Sequence, residues 1–109
     1  AMLTRVGDEH MGRFVKEELA RMGVDTSHVV TDNERLTALV ILGIKDQATF
    51  PLIFYRNDCA DMAISPNDFD SDFIAKSRAL LITGTHLSTE RTFQSSQQAI
   101  KYAKESGTK

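Results

Sequence analysis

Hydrophobic and polar positions recur with two different periods along the chain, which predicts both strands and helices. Residues 1–6 form a short, partly alternating run that ends at Gly7 and Asp8, as expected of a strand followed by a helix start. Asp8 is the expected N-cap, and Gly23 is the expected stop. The helix between them should bury an apolar stripe made of Met11, Phe14, Val15, Leu19 and Met22.

Two strands are predicted in the middle of the chain, close enough to form a hairpin. Residues 36–44 (LTALVILGI) and 50–56 (FPLIFYR) are rich in branched and aromatic side chains, and residues 45–49 (KDQAT) have the length of a hairpin loop. Pro51 has no backbone N–H, so the second strand should begin at a sheet edge. Before the hairpin, residues 24–30 could hold a further short strand, followed by a polar turn at residues 31–35.

The last part of the chain predicts a helix, a buried strand and a second helix. Residues 65–68 (SPND) combine a cap residue, a Pro at the first helical position and an early carboxylate. Residues 79–83 (ALLIT) are an unbroken apolar run, as expected of a strand buried on both faces of a parallel sheet. Ser88 or Thr89 should cap the last helix, which ends at Gly107. Its expected inward positions are Phe93, Ile100 and Ala103.

This order of elements predicts an α/β fold with one unusual feature. A hairpin is inserted where a plain crossover between parallel strands would be sufficient. A crossover helix normally leads to another parallel strand, and no strand pattern follows the last predicted helix. The pattern therefore favours a partial domain.

Composition and charge narrow the classes of function. The 109 residues suit one modest domain, and 13 Lys and Arg against 15 Asp and Glu give a formal net charge of -2. This charge provides no broad cationic surface, and no apolar run approaches the roughly 20 residues that span a bilayer. One Cys excludes an internal disulfide. We therefore expect a cytoplasmic protein that binds neither nucleic acid nor membrane.

The chain carries no phosphate-loop motif and no metal-binding motif. Its six glycines are spread singly, so neither a P-loop nor a GxGxxG motif is present. The three His residues and Cys59 lie far apart in sequence, and we predict no metal site. Cys59 and His86 could form a nucleophile and base, but a packing role for Cys59 is favoured because no third group orients them. Solvation and helix-dipole roles are expected for Asp58, Asp61, Asp68, Asp70 and Asp72.

Two segments are candidates for ligand binding. Residues 84–88 (GTHLS) follow the predicted buried strand, where open α/β sheets bind ligands, but a plain turn capped by Ser88 explains them equally well. At the end of the second hairpin strand, alternation puts Arg56 on the same face as Phe54. Arg56 is therefore a candidate clamp for a carboxylate or a hydroxyl-rich substrate. The alternative is an Arg side chain that packs along the edge with its guanidinium in water.

Several motifs resemble the N-terminal half of the PfkB, or ribokinase-like, carbohydrate kinases. Residues 5–8 (RVGD), Gly12 and residues 19–24 (LARMGV) are similar to the family's first strand end and the helix that leads to Gly-Val. Residues 36–41 (LTALVI) resemble the family's lid strand. Two further segments, FYRNDCADMA at residues 54–63 and TGTHLS at residues 83–88, are similar to a branch that acts on a keto sugar acid of inositol catabolism.

The resemblance covers nearly the whole chain and implies an ATP-dependent kinase that phosphorylates a primary hydroxyl of a keto sugar acid. A related alternative is a kinase of the same family that acts on 2-keto-3-deoxygluconate or on another sugar. The implied fold is a partial ribokinase-like α/β sandwich over residues 1–109. Within it, residues 36–63 would form an inserted antiparallel β lid, and residues 1–35 and 64–109 would belong to the central core. Closure of such a lid excludes water from the transferred phosphoryl group.

The resemblance also implies roles for particular residues. Val40 and Arg56 would face the sugar, Phe54 would line the same face, and Thr85 would lie beside it after the buried strand. Relatives that act on keto acids often carry Tyr at the position of Phe54, so the resemblance does not imply a hydroxyl contact there.

The family's glycine-rich sugar signature and its DTxGAGD signature are absent from these residues. The resemblance therefore implies an N-terminal-half fragment without the catalytic Asp, and inactive alone. ATP and Mg²⁺ are expected for the full-length protein and not for the fragment, and the lid could pair two copies. The alternative of a different class is a small non-catalytic α/β interaction module that recruits a strand at its hairpin edge.

Overall fold

The computed structural model describes residues 1–109 as two small sheets, three α-helices and three 3₁₀ turns. The helices and strands are, in chain order, β1 (Leu3–Gly7), α1 (His10–Arg21), β2 (His28–Asp32), β3 (Leu39–Leu42), β4 (Leu52–Tyr55), α2 (Ser71–Ala75) and α3 (Glu90–Ser106). The 3₁₀ turns lie at Ala60–Ala63, Pro66–Asp68 and Gly84–Leu87. This mixed order confirms the α/β class. None of the helices combines the length and the apolar character that crossing a membrane requires.

The first sheet consists of β1 and β2, which run parallel and are connected through α1. Leu3 lies opposite His28 and Gly7 lies opposite Asp32. A parallel pair needs such a crossover connection, and α1 provides it. The expected short strand is therefore present, but it starts within residues 24–30 and continues into residues 31–35, which were predicted as a turn.

Helix α1 begins at His10, with Glu9 as its N-cap in place of the predicted Asp8. The Glu9 carboxylate accepts hydrogen bonds from Met11 N at 2.6 Å and Gly12 N at 3.2 Å, two of the free N–H groups of the first turn. The predicted apolar stripe is mostly open: Phe14 is 55% exposed and Met22 is 68% exposed. The reason is that β1 is the main element packed against α1, so the two-stranded sheet covers little of the helix.

The second sheet is the predicted hairpin, with β3 and β4 paired antiparallel. Leu39 lies opposite Tyr55, and Leu42 lies opposite Leu52. The strands are shorter than predicted because the paired region closes at Gly43, whose N–H donates to Pro51 O. Every residue of both strands is exposed, so neither face of the hairpin is covered.

Residues 79–83 do not form the buried strand that their apolar run predicted. They belong to no strand, and Leu81 is 88% exposed. Leu80 N donates to Lys109 O and Thr83 O accepts from His86 N, but no neighbouring strand pairs with the run. A strand needs a partner backbone for its N–H and C=O groups, and the β1–β2 sheet does not extend to these residues.

The hydrophobic core lies between α2, α3 and the turn before α2. Phe69, Ile74, Ala99 and Ala103 are buried together. Ala103 therefore faces inward as predicted, whereas Phe93 and Ile100 are each 39% exposed and that part of the prediction is wrong. Small residues on the inner face allow α2 to approach α3, and the bulkier Phe93 and Ile100 lie on the outer side.

The predicted helix start at residues 65–68 is a short 3₁₀ turn. Ser65 is the cap as predicted and forms a capping box with Asp68, but Phe69 then adopts an extended conformation. Asp70 provides a second cap, and its carboxylate accepts from Phe73 N at 2.8 Å. The helix is thus divided in two because Asp70 competes with Ser65 as a cap.

Candidate functional site

The hairpin places two of the predicted site residues on one face. Val40 and Phe54 lie directly opposite each other in the antiparallel register. Directly paired residues share a face of the sheet, so their side chains form one apolar surface. Val40 is 39% exposed and Phe54 is 63% exposed, which leaves this surface accessible.

Arg56 follows β4 directly, and its guanidinium already has a counterion. Its Nε donates to Asp61 Oδ2 at 2.7 Å, and the two side chains are 22% and 18% exposed. The predicted anion clamp is therefore oriented by an internal ion pair. The sequence pattern assigned Asp61 to solvation, and the structure corrects that assignment. Arg56 and Asp61 are five residues apart in an irregular segment. Such a segment has no regular spacing from which their contact could be predicted.

Thr85 and His86 lie in the 3₁₀ turn Gly84–Leu87, on an element remote from the hairpin in sequence. His86 Nδ1 lies 3.0 Å from Thr83 Oγ1, which is itself 2.8 Å from Thr85 Oγ1. Burial lowers the pKa of His86, the charge of Arg56 lowers it further, and Asp61 opposes both effects. The imidazole is therefore neutral at pH 7, and it lies near enough to the Arg56–Asp61 pair to sense both charges.

Two buried polar atoms of this cluster have no hydrogen-bond partner, namely Asp61 Oδ1 and His86 Nε2. Buried polar atoms are normally paired, because an unpaired one costs about 1–3 kcal/mol. The structure thus brings Arg56, Asp61 and His86 into one polar cluster, of which the sequence pattern identified Arg56 and, as part of the GTHLS segment, His86.

Cys59 is buried beside the same cluster. Its thiol donates weakly to Tyr55 O at 3.6 Å and Asn57 O at 3.7 Å. Burial raises the pKa of the Cys59 thiol, and the charge of Asp61 raises it further. A protonated, buried thiol is a poor nucleophile, so these contacts agree with the packing role.

A second cluster, which the sequence pattern missed, is centred on Arg5 of β1. Its guanidinium contacts Asp68 Oδ2 at 2.8 Å, Asp68 Oδ1 at 2.7 Å and Asp32 Oδ2 at 3.1 Å. Burial raises the pKa of the Asp68 carboxyl, but hydrogen bonds from Arg5 and from Ser65 N outweigh it and leave the pKa below its ordinary value. Asp68 is therefore a buried partner of Arg5 and not a solvating carboxylate.

The cluster continues from Asp32 to the base of the hairpin. Burial raises the pKa of Asp32, but hydrogen bonds from Glu34 N, Arg35 N and Arg5 together lower it. Arg35 Nε in turn donates to Asp58 Oδ1 at 3.0 Å, across the two ends of the hairpin. Asp58 has a φ of 47°, a conformation that Asp tolerates better than most residues. Ion pairs thus connect the first sheet to the hairpin.

One cavity lies beside β1, and it does not suit a sugar acid. Its volume is about 370 Å³, and its lining is mainly apolar. Leu3, Phe69, Leu80 and Ile82 supply apolar walls, and His86 also lines it. A hydroxyl-rich ligand would lose hydrogen bonds to water in such a space. The hairpin face and the cluster at its base are the better candidate site.

The residues present do not fit a nucleotide or a magnesium ion. No group of three or more His, Cys, Asp or Glu side chains is arranged to hold a metal. The glycines are single, so neither a P-loop nor a GxGxxG motif is present. What the arrangement can do chemically is to cover, orient and hydrogen-bond a small polar molecule.

Comparison with known proteins gives similarity over the whole chain. A family model described as pfkB family carbohydrate kinase matches residues 1–109. A 5-dehydro-2-deoxygluconokinase from Geobacillus kaustophilus is 39% identical over 105 residues, which are 95% of this chain and 31% of the relative. The protein of the same name from Geobacillus thermodenitrificans is 38% identical over 104 residues, 94% of this chain and 31% of the relative. The chain therefore spans about a third of the length of these relatives.

Solved structures agree with the sequence comparison. A PfkB protein from Polaromonas superposes with a TM-score of 0.87 at 25% identity, covering 96% of this chain and 36% of that one. A fructokinase from Xylella fastidiosa with bound ATP gives a TM-score of 0.86 at 17% identity, covering 95% and 32%. These similarities confirm the expected ribokinase-like fold with its antiparallel hairpin.

Proposed function

Because the chain belongs to the pfkB family of carbohydrate kinases, we propose that it is part of an ATP-dependent kinase for 5-dehydro-2-deoxygluconate. The observation that carries this substrate is the 39% identity to a kinase of that name across nearly the whole chain. The acceptor would be a primary hydroxyl of the sugar acid. The runner-up substrate is 2-keto-3-deoxygluconate, another keto sugar acid that the same side chains could bind.

In this proposal, residues 36–63 form a lid, and residues 1–35 and 64–109 form part of the core beneath it. The lid role is supported by the exposed, paired Val40 and Phe54, which provide an apolar cover for the non-hydroxylated face of a sugar. A cover of this kind removes water around the reacting hydroxyl, so that phosphoryl transfer to water does not compete.

Arg56 is the proposed contact for the substrate carboxylate or an adjacent hydroxyl. A guanidinium has five N–H donors, and the pair with Asp61 leaves others free. Because Asp61 fixes the orientation of the guanidinium, less side-chain entropy is lost when the substrate binds. Thr85, which is exposed in the turn after residues 79–83, offers a hydroxyl to the same ligand.

ATP and Mg²⁺ are the proposed cofactors of the longer kinase. A fructokinase and a ribokinase-like structure of similar fold were solved with ATP, the latter also with Mg²⁺. Since the 109 residues present neither a phosphate loop nor a metal cluster, the nucleotide site and the catalytic base are proposed to lie outside them. These residues alone are then inactive, and their contribution is to bind and shield the sugar.

The opposite face of the hairpin is proposed to bind a second copy of the chain. It carries Leu39, Ile41, Ile53 and Tyr55, which are 44%, 45%, 54% and 56% exposed. A two-stranded hairpin that is apolar on both faces is an unusual surface for a monomer, and pairing would bury it. Light scattering of the longer protein should give a dimer, and Ile41→Lys with Ile53→Glu should give monomers. A strictly monomeric wild type would contradict this pairing.

A panel of acceptors tests the proposed substrate. The longer protein, supplied with ATP and Mg²⁺, should phosphorylate 5-dehydro-2-deoxygluconate with a higher kcat/KM than 2-keto-3-deoxygluconate or fructose. Fructose has no carboxylate. A higher kcat/KM for fructose would therefore contradict both the proposed contact between Arg56 and a carboxylate and the proposal that the substrate is a sugar acid.

A further inference from the structure

One carboxylate fastens the base of the hairpin to the start of α1. Besides capping α1, Glu9 accepts a hydrogen bond through Oε1 from Thr37 N at 3.0 Å, although Thr37 lies 28 residues further along the chain. Thr37 Oγ1 in turn accepts from Gly7 N at 2.9 Å. Two hydrogen bonds thus tie Thr37, which lies two residues before β3, to the turn between β1 and α1.

The backbones at this junction are packed with no room for a side chain. A Cβ on Gly12 would lie 2.0 Å from Gly7 O and 3.0 Å from Thr37 Oγ1. A Cβ on Gly7 would lie 2.6 Å from Arg35 O and 2.9 Å from Thr37 N. Glycine permits this close approach, so the junction has little freedom to adopt a second arrangement.

The hairpin beyond the junction, in contrast, is held by little else. All eight residues of β3 and β4 are exposed, and the two strands pack chiefly against each other. At its base, the two legs are joined by the Arg35–Asp58 pair and by the hydrogen bond from Ala60 N to Leu36 O at 2.9 Å. The hairpin therefore projects from its base, where Thr37 contacts Glu9 on the first leg and Ala60 is buried on the second.

We propose that Glu9 is a positioning residue for the lid, acting through Thr37 to set the angle at which the hairpin face carrying Val40 and Phe54 lies over the sugar. This inference rests on the proposed function of residues 36–63 as a lid. Glu9 itself touches no substrate in this account. The hydrogen bonds from Thr37 hold the pKa of Glu9 below its ordinary value, so the carboxylate is charged at pH 7 and binds the Thr37 N–H more strongly than a neutral acceptor would.

The first test compares Glu9→Gln with Asp8→Asn in the longer kinase. Both changes remove one carboxylate at the start of α1, but the Asp8 carboxylate is exposed and pairs only with Arg13 on the surface. We expect Glu9→Gln to lower kcat/KM for the sugar acid about tenfold, as loss of a charge-assisted hydrogen bond would, and Asp8→Asn to leave it unchanged.

The amount of ADP formed per sugar phosphate separates positioning from a merely structural role. Wild type and Asp8→Asn should form equal amounts of the two products. Glu9→Gln should form excess ADP, because a misplaced lid admits water as a competing acceptor. A structural role alone would reduce the amount of active enzyme and leave the ratio equal. Thr37→Val removes the hydroxyl that accepts from Gly7 N and should also form excess ADP. Thr37→Ser keeps the hydroxyl and should form equal amounts of ADP and sugar phosphate.

Hydrogen–deuterium exchange of residues 39–55 provides a readout that needs no turnover. Glu9→Gln and Thr37→Val should accelerate exchange in the longer protein, whereas Asp8→Asn and Thr37→Ser should not. Unchanged exchange and an unchanged product ratio in both Glu9→Gln and Thr37→Val would overturn the inference. If the wild type shows no sugar-dependent ADP formation, the proposed function fails, and the exchange data still decide whether Glu9 positions the hairpin.

Discussion

Arg5 and Asp68 are joined by two parallel contacts of 2.8 and 2.7 Å, although they are 63 residues apart in the chain. Their side chains are 21% and 7% exposed, so the pair is largely removed from water. It joins β1 to the turn that precedes α2, and Asp32 completes the coordination of the guanidinium. This ion pair connects the two halves of the chain that lie on either side of the hairpin.

Asp68→Asn should therefore destabilise the fold by about 3 kcal/mol, because it leaves Arg5 partly buried with one charged partner fewer. The measurement is urea denaturation of the wild type and the variant. Asp8→Asn is the matched control, since the exposed Asp8–Arg13 pair should contribute less than about 1 kcal/mol. If both variants lose the same free energy of unfolding, the Arg5–Asp68 pair is no stronger than a surface ion pair.

Acid should destabilise the fold through the carboxylates whose pKa values lie below their ordinary ones, among which Glu9, Asp32 and Asp68 contact distant parts of the chain. A depressed pKa in the folded state stabilises the fold above the unfolded pKa of about 4, and this stabilisation is lost as pH falls through the folded value. The free energy of unfolding should thus fall steeply below about pH 4. Urea denaturation at pH values from neutral to acid tests this. If the free energy of unfolding falls less in Asp68→Asn than in the wild type, the difference is the contribution of Asp68.

His86 should add a separate dependence at higher pH. Burial lowers the pKa of His86 in the folded state. Below the pKa of about 6.5 that His has in the unfolded chain, the unfolded state therefore binds more protons than the folded state. The free energy of unfolding should therefore begin to decrease as pH falls below about 6.5, before the carboxylates titrate. His86→Asn should remove this step, and its persistence in the variant would assign the step to another group. His10, which is exposed, provides the control His10→Asn.

Gly12→Ala should be strongly destabilising, by about 3 kcal/mol, because its Cβ would lie 2.0 Å from Gly7 O and the backbone would have to move. Gly84→Ala is the control. Nothing lies within 4 Å of a Cβ at Gly84, so the change should be within about 0.5 kcal/mol. Urea denaturation measures both, and equal stabilities would contradict the packing described at the hairpin base.

Local signals in the sequence were sufficient for the elements whose partners are near in the chain. The hairpin was predicted because the branched and aromatic residues of both strands and the KDQAT loop between them all lie within residues 36–56. Helix α3 was predicted from a cap at Ser88 or Thr89, of which the structure selects Thr89, and from Gly107, which has a φ of 76°. In both cases the hydrogen bonds that define the element join residues close in sequence.

Contacts between distant segments could not be predicted in the same way. Residues 79–83 have the composition of a buried strand, but composition does not supply a neighbouring strand. Asp61 and Asp68 were assigned to solvation because a carboxylate has the same pattern whether water or an Arg satisfies it. Arg56 was selected as a candidate from its place at the end of the predicted strand, while its ion pair with Asp61 became visible only in three dimensions.

The most direct test of the kinase proposal is the product formed by the longer protein from ATP and 5-dehydro-2-deoxygluconate, examined by ³¹P NMR. We predict ADP and one new phosphate monoester whose signal is split by the two protons of a CH₂ group, as required for a primary hydroxyl. Arg56→Met should raise the KM for this substrate about tenfold, whereas Arg21→Met, on the exposed surface of α1, should not. Absence of any sugar phosphate with active, folded protein, or a signal split by a single CH proton, would contradict the proposal.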